Sequence, residues 1–288
     1  MAQFDWVIKN GTIVDGLRMP RFRGDIGVAG GVVAAIGQLD ASEANRVIDA
    51  TGHVVAPGFV DLHTHYDAQI FWDPWCTISG WHGVTSVAIG NCGFGFAPVA
   101  PELRERSMLS MTRNEAVSLA AMRAGMPWDW ETFPEFLDSL ERTPKAVNLL
   151  TYMPLNPLLV WVMGLERAKA GELPTPAETA ELCRLFEEAM DAGACGFSMQ
   201  RLLPDSGSDI QRDHDGSPMV TDVMHHETCL ELARVLGRRN EGFIQMTLYS
   251  ADRERDLREY EELAAVSGRP PRALQQPGHG CGGPSGPP

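Results

Sequence analysis

Positive charge is scarce in this sequence: 24 Lys and Arg stand against 38 Asp and Glu, a formal net charge of -14 over 288 residues. Binding a polyanion requires a surplus of Lys and Arg to neutralise phosphates, so nucleic acid and anionic membranes are not expected as partners. Long apolar runs are missing as well. No stretch reaches the roughly 18 unbroken apolar residues of a membrane span. The start, Met1-Ala2-Gln3-Phe4-Asp5, lacks the basic segment and apolar run of a secretion signal. A soluble, cytoplasmic protein is the expectation. Cysteine is thinly spread: Cys76, Cys92, Cys183, Cys195, Cys229 and Cys281, in a chain of this length without a secretion signal, do not form a disulfide framework, and reduced thiols are expected. Cys183 and Cys229 fall on apolar faces of predicted helices and read as small buried hydrophobes.

What is present is enough apolar material, 44% of the residues, to bury a barrel-sized core. Residues 1–56 read as short β-branched strands broken by Gly and Asp, such as Asp25 to Val28 and Val32 to Ile36, and predict a small N-terminal β-sandwich. Pro57-Gly58 marks a change of texture. From there, strands alternate with helical patterns, the signature of βαβ units and a parallel sheet. The predicted strands are Gly58 to His63, Val84 to Ile89, Ala146 to Tyr152, Ala194 to Met199 and Gly242 to Thr247. Two helices carry explicit signals. Thr175-Pro176-Ala177-Glu178 is a capping box leading into a stripe of Leu182, Leu185, Phe186 and Ala189, and Cys229, Leu232, Ala233 and Leu236 make a second stripe. From Arg269 to Pro288 there are six Pro, five Gly and no β-branched residue, so residues 269–288 are expected to be a disordered tail. Residues 57–268 then form about five strand–helix units, an α/β (β/α)8-type barrel that is incomplete.

The chemistry concentrates at two strand ends. Pro57-Gly58-Phe59-Val60-Asp61-Leu62-His63-Thr64-His65 places two imidazoles two positions apart. Alternate residues of a strand point the same way, so His63 and His65 can share one ion at the C-terminal mouth, where barrel enzymes keep their sites. The second strand runs into Gly90-Asn91-Cys92-Gly93-Phe94-Gly95. A Cys92 thiolate there would stand beside the pair if the two strands are neighbours, and could hold or bridge zinc. Against these functional readings stand two incidental loop histidines, and a buried structural cysteine. Trp72, Trp75 and Trp81 either wall a pocket or simply pack, His225 and His226 read as a solvated helix face, and His214 as part of a polar surface loop.

These residues carry a family resemblance. Asp5 to Gly16, Ile48 to Asp67 and Gly83 to Pro98 resemble the N-terminal hallmarks of the N-acyl-D-amino-acid deacylase (D-aminoacylase) branch of the amidohydrolase superfamily. Trp128 to Phe133 and Gly193 to Ser198 are similar to further stretches of it, and the likeness runs to about residue 268. The resemblance implies a metal-dependent hydrolase (β/α)8 barrel with a flanking β-sandwich. It also implies a Zn2+ site of one or two ions using His63, His65 and Cys92. Relatives that bridge two metals through a carboxylated lysine fit less well, since Lys9, Lys145 and Lys169 all lie away from the end of strand four. The branch also implies a metal-binding histidine at the end of strand five, where this chain has Thr247, so that ligand is expected to be lost. A later histidine, and the aspartate that acts as general base, fall beyond the resemblance. The catalytic base is therefore unassigned, and neither Asp61 nor Asp67 is given the role. His279 and Cys281 in the tail are weak ligand candidates.

The expected activity is zinc-assisted hydrolysis of a non-peptide amide C–N bond in an N-acyl amino acid or related small amide, with bound water brought to a pKa of about 7. Two alternatives remain open. One is a truncated, inactive polypeptide that self-associates through an exposed barrel edge, with the composition shift at residue 269 marking a truncation or frame change. The other is a cyclic-amide hydrolase of the dihydroorotase or hydantoinase type.

Overall fold

The computed structural model describes residues 2–202, 211–248, 252–269 and 271–274, and the chain divides into two compact units between Phe59 and Val60.

The first unit is a mixed sheet of five strands: β1 (Phe4–Ile13), β2 (Phe22–Ala29), β3 (Val32–Gly37), β4 (Ala44–Asp49) and β5 (Val54–Val55). Their order is β3-β2-β1-β4, with β5 also paired to β1. β1 runs through an irregular stretch of sequence, Asn10-Gly11. It stays one long strand because a register shift between Ile8 and Gly11, with Asn10 at φ 64°, absorbs the irregularity as a bulge. Gly30 and Gly31, both at positive φ, make the two-residue hairpin between β2 and β3. The five strands are joined by hydrogen bonds into a single sheet, the N-terminal β subdomain.

The second unit alternates strands with helices. Its elements are β6 (Phe59–Asp61), β7 (Val84–Ile89), α1 (Arg104–Glu115), α2 (Leu119–Gly125), α3 (Phe133–Arg142), β8 (Asn148–Thr151) and β9 (Met153–Pro154). There follow α4 (Leu155–Met163), α5 (Leu165–Lys169), α6 (Pro176–Ala192), β10 (Gly196–Arg201), α7 (Val220–Val223), α8 (His226–Arg239), β11 (Phe243–Leu248), α9 (Arg253–Ser267) and β12 (Pro271–Leu274). β6, β7 and β8 form one set of neighbours, and β9, β10, β11 and β12 another. Only Tyr152 separates β8 from β9, and its amide still donates to Ile89 O at 3.0 Å, so they act as one strand that changes partner. Neighbours in space are therefore neighbours in sequence, and the pairings β7–β8, β9–β10, β10–β11 and β11–β12 are parallel. This is the barrel order, in which each helix returns the chain to the next parallel strand.

The helices form where the sequence signals them. Thr175 and Glu178 make the reciprocal capping box of α6, and Gly193 closes it at φ 115°. Leu182, Phe186 and Ala189 are buried, and Phe186 meets Phe197 of β10 edge-on at 5.5 Å. Burial of one such aromatic side chain stabilises the fold by about 2–3 kcal/mol. On α8, Cys229, Leu232, Ala233 and Leu236 are all fully buried. All six residues of β10 are buried, as expected of a parallel strand covered on both faces.

The structure differs from expectation at residue 271. β12 lies inside the segment that composition marked as disordered, yet it extends the ladder of β11 from Ile244 to Thr247. The backbone supplies this pairing. Once α9 has returned the chain to the sheet edge, four residues can add to the ladder without β-branched side chains. The expectation for 275–288, including His279 and Cys281, lies outside the described residues. No disulfide links the described cysteines. No helix among the described residues is long and apolar enough to cross a membrane.

Candidate functional site

His63 and His65 leave the end of β6 on one face, while Thr64 between them turns the other way and ties the segment to β7 through N and Oγ1, both donating to Ala88 O at 3.1 and 2.7 Å. The imidazole rings come to 5.2 Å between centroids. Across the sheet, β7 ends in a turn that brings the backbone sharply round. Gly90 sits at φ 76°, and a Cβ on it would lie 2.5 Å from Tyr152 O, so no other residue fits. Cys92 itself adopts a left-handed conformation at φ 56°.

Several strands clasp this turn. Cys92 N donates to Gln245 Oε1 at 2.6 Å, Gly93 N donates to Ser198 Oγ at 3.0 Å, and Ser198 Oγ in turn donates to Gly90 O. Asn91 Nδ2 reaches Thr64 O and Ala88 O, and Asp67 Oδ1 accepts from Gly90 N at 2.6 Å. Thus β6, β7, β10 and β11 jointly hold the sulfur. Cys92 Sγ lies 3.4 Å from His63 Nε2, 4.0 Å from His65 Nε2 and 3.4 Å from Thr247 Oγ1. His63, His65 and Cys92 form a group whose ligand atoms all fall within 4.8 Å of one another. Thr247 stands against Cys92, at the strand-five position where the branch implied a histidine.

The electrostatics follow from burial. Desolvation pushes the Cys92 thiol up to about 12, although its hydrogen bond with Thr247 opposes that rise. Burial, with the neighbouring His63, lowers His65 to about 4, and burial lowers His63 as well, leaving both rings neutral with free lone pairs near pH 7. Two carboxyls flank the group, one half-buried and one fully buried. Glu115 Oε1, from the end of α1, lies 3.6 Å from His65 Nε2, and burial raises its carboxyl to about 7. Asp67 is 1% exposed and is likewise raised to about 7 by burial.

Sequence reasoning missed Glu115, Ser198 and Gln245. Ser198 and Gln245 are polar residues inside otherwise apolar strands, and that oddity was the available signal. The tryptophans do not wall this site: Trp75 and Trp81 are 71% and 79% exposed, and Trp72 packs over Gly125. His226 is half-buried rather than solvated, because its Nε2 meets Glu262 of α9 at 2.7 Å. Asp213, His214 and Asp215 form a second cluster with ligand-like spacing, but Asp213 is already bound by Arg106 and Lys169. All three lysines are engaged away from the sulfur: Lys9 with Asp25, Lys145 with Leu140 O and Thr143 O, and Lys169 with Asp213.

Consecutive parallel strands, a His-x-His tip on the first and a cysteine turn on the second define the barrel class of hydrolases. Within that class the chain belongs to the amidohydrolase family, whose model matches residues 46–207. It is 37% identical over 202 residues to a D-aminoacylase of Alcaligenes xylosoxydans xylosoxydans, a match covering 70% of this chain and 38% of that protein. Among solved structures, a D-aminoacylase superposes with a TM-score of 0.72 at 27% identity, covering 94% of this chain and 51% of the other. An N-acyl-D-glutamate deacylase from Bordetella bronchiseptica, complexed with zinc and a phosphonate mimic of its tetrahedral intermediate, also superposes at 0.72 with 27% identity, covering 92% and 50%. The chain therefore spans about half, or less, of the length of these relatives.

Proposed function

We propose that this chain carries the metal-binding part of an N-acyl-D-amino-acid deacylase-like hydrolase, with His63, His65 and Cys92 as ligands of one or two zinc ions. The observation that carries the reading is the convergence of His63 Nε2, His65 Nε2 and Cys92 Sγ at 3.4 and 4.0 Å. Tetrahedral zinc with ordinary Zn–N and Zn–S bonds separates a nitrogen from a sulfur by roughly 3.6 Å, so the donor spacing suits that ion. The donor chemistry suits it too: two neutral imidazoles and a thiol are borderline-soft ligands. When bound, zinc supplies a polarised carbonyl and a water of lowered pKa.

The chain's own residues contribute position and charge. The Ser198 and Gln245 hydrogen bonds fix the Cys92 turn, so the thiol does not wander when a substrate arrives. The rings keep their lone pairs because burial disfavours their protonation. The substrate this supports is an N-acyl amino acid or a related small amide, by likeness to the two deacylases above.

A second, non-catalytic reading has one observation in its favour: Thr247 offers a hydroxyl where a histidine ligand was implied. Zinc content by mass spectrometry, together with turnover of N-acetyl-D- and L-amino acids and of a cyclic amide such as dihydrouracil, separates the readings. Stoichiometric zinc with D-selective turnover is the expected result. Zinc-free, inactive protein from zinc-supplemented growth would overturn the proposal, and turnover of the cyclic amide alone would move it to the cyclic-amide class.

A further inference from the structure

Beside the Cys92 turn lies a cavity of about 420 Å³ between α1 and α4. That is within the size range of small-molecule pockets. Gly93, Phe94 and Gly95 form its wall nearest the cluster, and the Phe94 ring lies 6.1 Å from that of His65. Met111, Val160, Trp161 and Val220 supply apolar surface further in.

The polar side chains of the wall are the informative part, because their hydrogen bonds are already made within the protein. Ser107 Oγ donates to Leu103 O at 3.2 Å, and Ser110 Oγ donates to Asp213 Oδ1 at 2.8 Å. Asn156 is engaged at both ends, donating to Gly93 O at 2.9 Å and accepting from Thr221 N at 3.0 Å. Arg106 is paired with Asp213, which Lys169 shares, and the remaining charged lining residue, Glu102, is exposed. A cavity whose charges are paired and whose hydroxyls and amide are satisfied gives a polar ligand little to replace its water with. An uncharged apolar chain loses nothing by entering and gains burial.

We infer that this cavity is the acyl-chain pocket of the hydrolase proposed above. It selects N-acyl amino acids with a medium-length aliphatic acyl group, which passes over Phe94 while the scissile amide stays at His63, His65 and Cys92. The inference rests on the deacylase reading for the identity of the ligand. It does not rest on turnover. The Gly93–Gly95 backbone that lines the cavity continues directly into Cys92, so the acyl chain also touches the segment that positions the thiol.

The test is equilibrium binding by calorimetry of N-octanoyl-D-alanine and N-acetyl-D-alanine, under zinc-free conditions so that neither is hydrolysed during the titration, to the unsubstituted chain, to Val160→Phe and to Leu165→Phe. The two substitutions add bulk at separate positions, on α4 and at the start of α5, so one of them suffices if the other does not fold. The octanoyl ligand is expected to bind about 100-fold more tightly than the acetyl ligand, a conservative share of what six buried methylenes provide. Either substitution should remove at least about tenfold of that advantage and leave acetyl binding unchanged. Repeating the measurement on Cys92→Ser keeps the two ideas separate. If that variant still prefers octanoyl and Val160→Phe cancels the preference, the cavity assignment stands even where no protein in the series hydrolyses anything. Equal affinity for both ligands, or a preference untouched by both substitutions, overturns the assignment even if turnover is found.

Discussion

Metal binding at His63, His65 and Cys92 should release one proton per ion, and that proton should come from the sulfur. In the metal-free protein burial holds the thiol at about 12, so at pH 7.5 an ion that takes the thiolate must displace a proton at a cost of about 6 kcal/mol. Structural zinc sites show an apparent gain of about 10–16 kcal/mol at pH 7 with thiol deprotonation already included, so a cost of that size is one that zinc–thiolate bonding can offset. The imidazoles release nothing in this range. His65 is lowered to about 4 and His63 is lowered too, so both are already unprotonated. The sign follows: zinc affinity should rise about tenfold per pH unit between pH 7 and 9, since each unit reduces the work of deprotonating one thiol. Calorimetry in buffers of different ionisation enthalpy reads the proton count directly. In Cys92→Ser the release should fall to near zero, the slope should flatten, and affinity should drop by more than the ~10–100-fold typical of lost outer-shell partners. A wild-type slope near zero, or a serine variant that still releases a proton, would refute the assignment of the sulfur as ligand.

Two further predictions concern stability. Asp213 is held down to about 2, because the Lys169 hydrogen bond and the Arg106 charge outweigh the raising effect of burial. A depressed carboxyl contributes stability that is complete above its unfolded value near 3.8 and is lost as pH falls through about 2, so denaturant melts should show about 2 kcal/mol of acid loss over that window. Asp213→Asn should remove that pH dependence and cost about 3 kcal/mol at pH 7 by leaving two cations without their carboxylate; an unchanged acid limb would contradict it. Gly90→Ala places a methyl 2.5 Å from Tyr152 O at φ 76°, whereas Gly268→Ala, in the same left-handed region at φ 64°, meets nothing within 4 Å. The first should cost about 3 kcal/mol or more and the second about 1 kcal/mol, and equal losses in urea unfolding would show that the close approach at residue 90 is not limiting.

How much was legible in the sequence depended on the range of the interaction. The helices α6 and α8 were readable because their determinants, a capping box and stripes such as Leu232, Ala233 and Leu236, lie within a few positions of one another. His63 and His65 were readable for the same reason, as strand alternation alone puts them on one face. Cys92 was legible only on the assumption that β6 and β7 are neighbours, which the sheet order bears out. Glu115, Ser198 and Gln245 were not legible. They reach the cluster from α1, β10 and β11, and the separation in sequence leaves no local periodicity that could point to their partners. β12 was misread from composition because its pairing depends on an edge that α9 makes available, not on its own side chains. Similarly, His226 was assigned to solvent because nothing near it in sequence announces Glu262 of α9.

Several buried polar atoms around the cluster are without partners, as the lining of a ligand site would be. Buried polar groups in folded proteins are nearly always paired, and each exception costs about 1–3 kcal/mol. Here His65 Nδ1, Asp67 Oδ2, Glu115 Oε1 and Gln245 Nε2 all lack a hydrogen-bond partner, and all belong to residues that touch Cys92, His65 or the Gly90 turn. The same chain satisfies Asp213, beside His214, with two cations and a hydroxyl, while the buried pair of Glu259 Oε2 and His226 Nδ1, 3.6 Å apart, also lacks hydrogen-bond partners. A fold that needed only packing at the β6–β7 tips would do better with apolar side chains there, since replacing such groups by well-packed hydrophobes is neutral or stabilising. Retaining two carboxyls, two imidazoles and a thiol at that point is costly for stability, and the cost is explained if a cation is to be held there and its charge balanced.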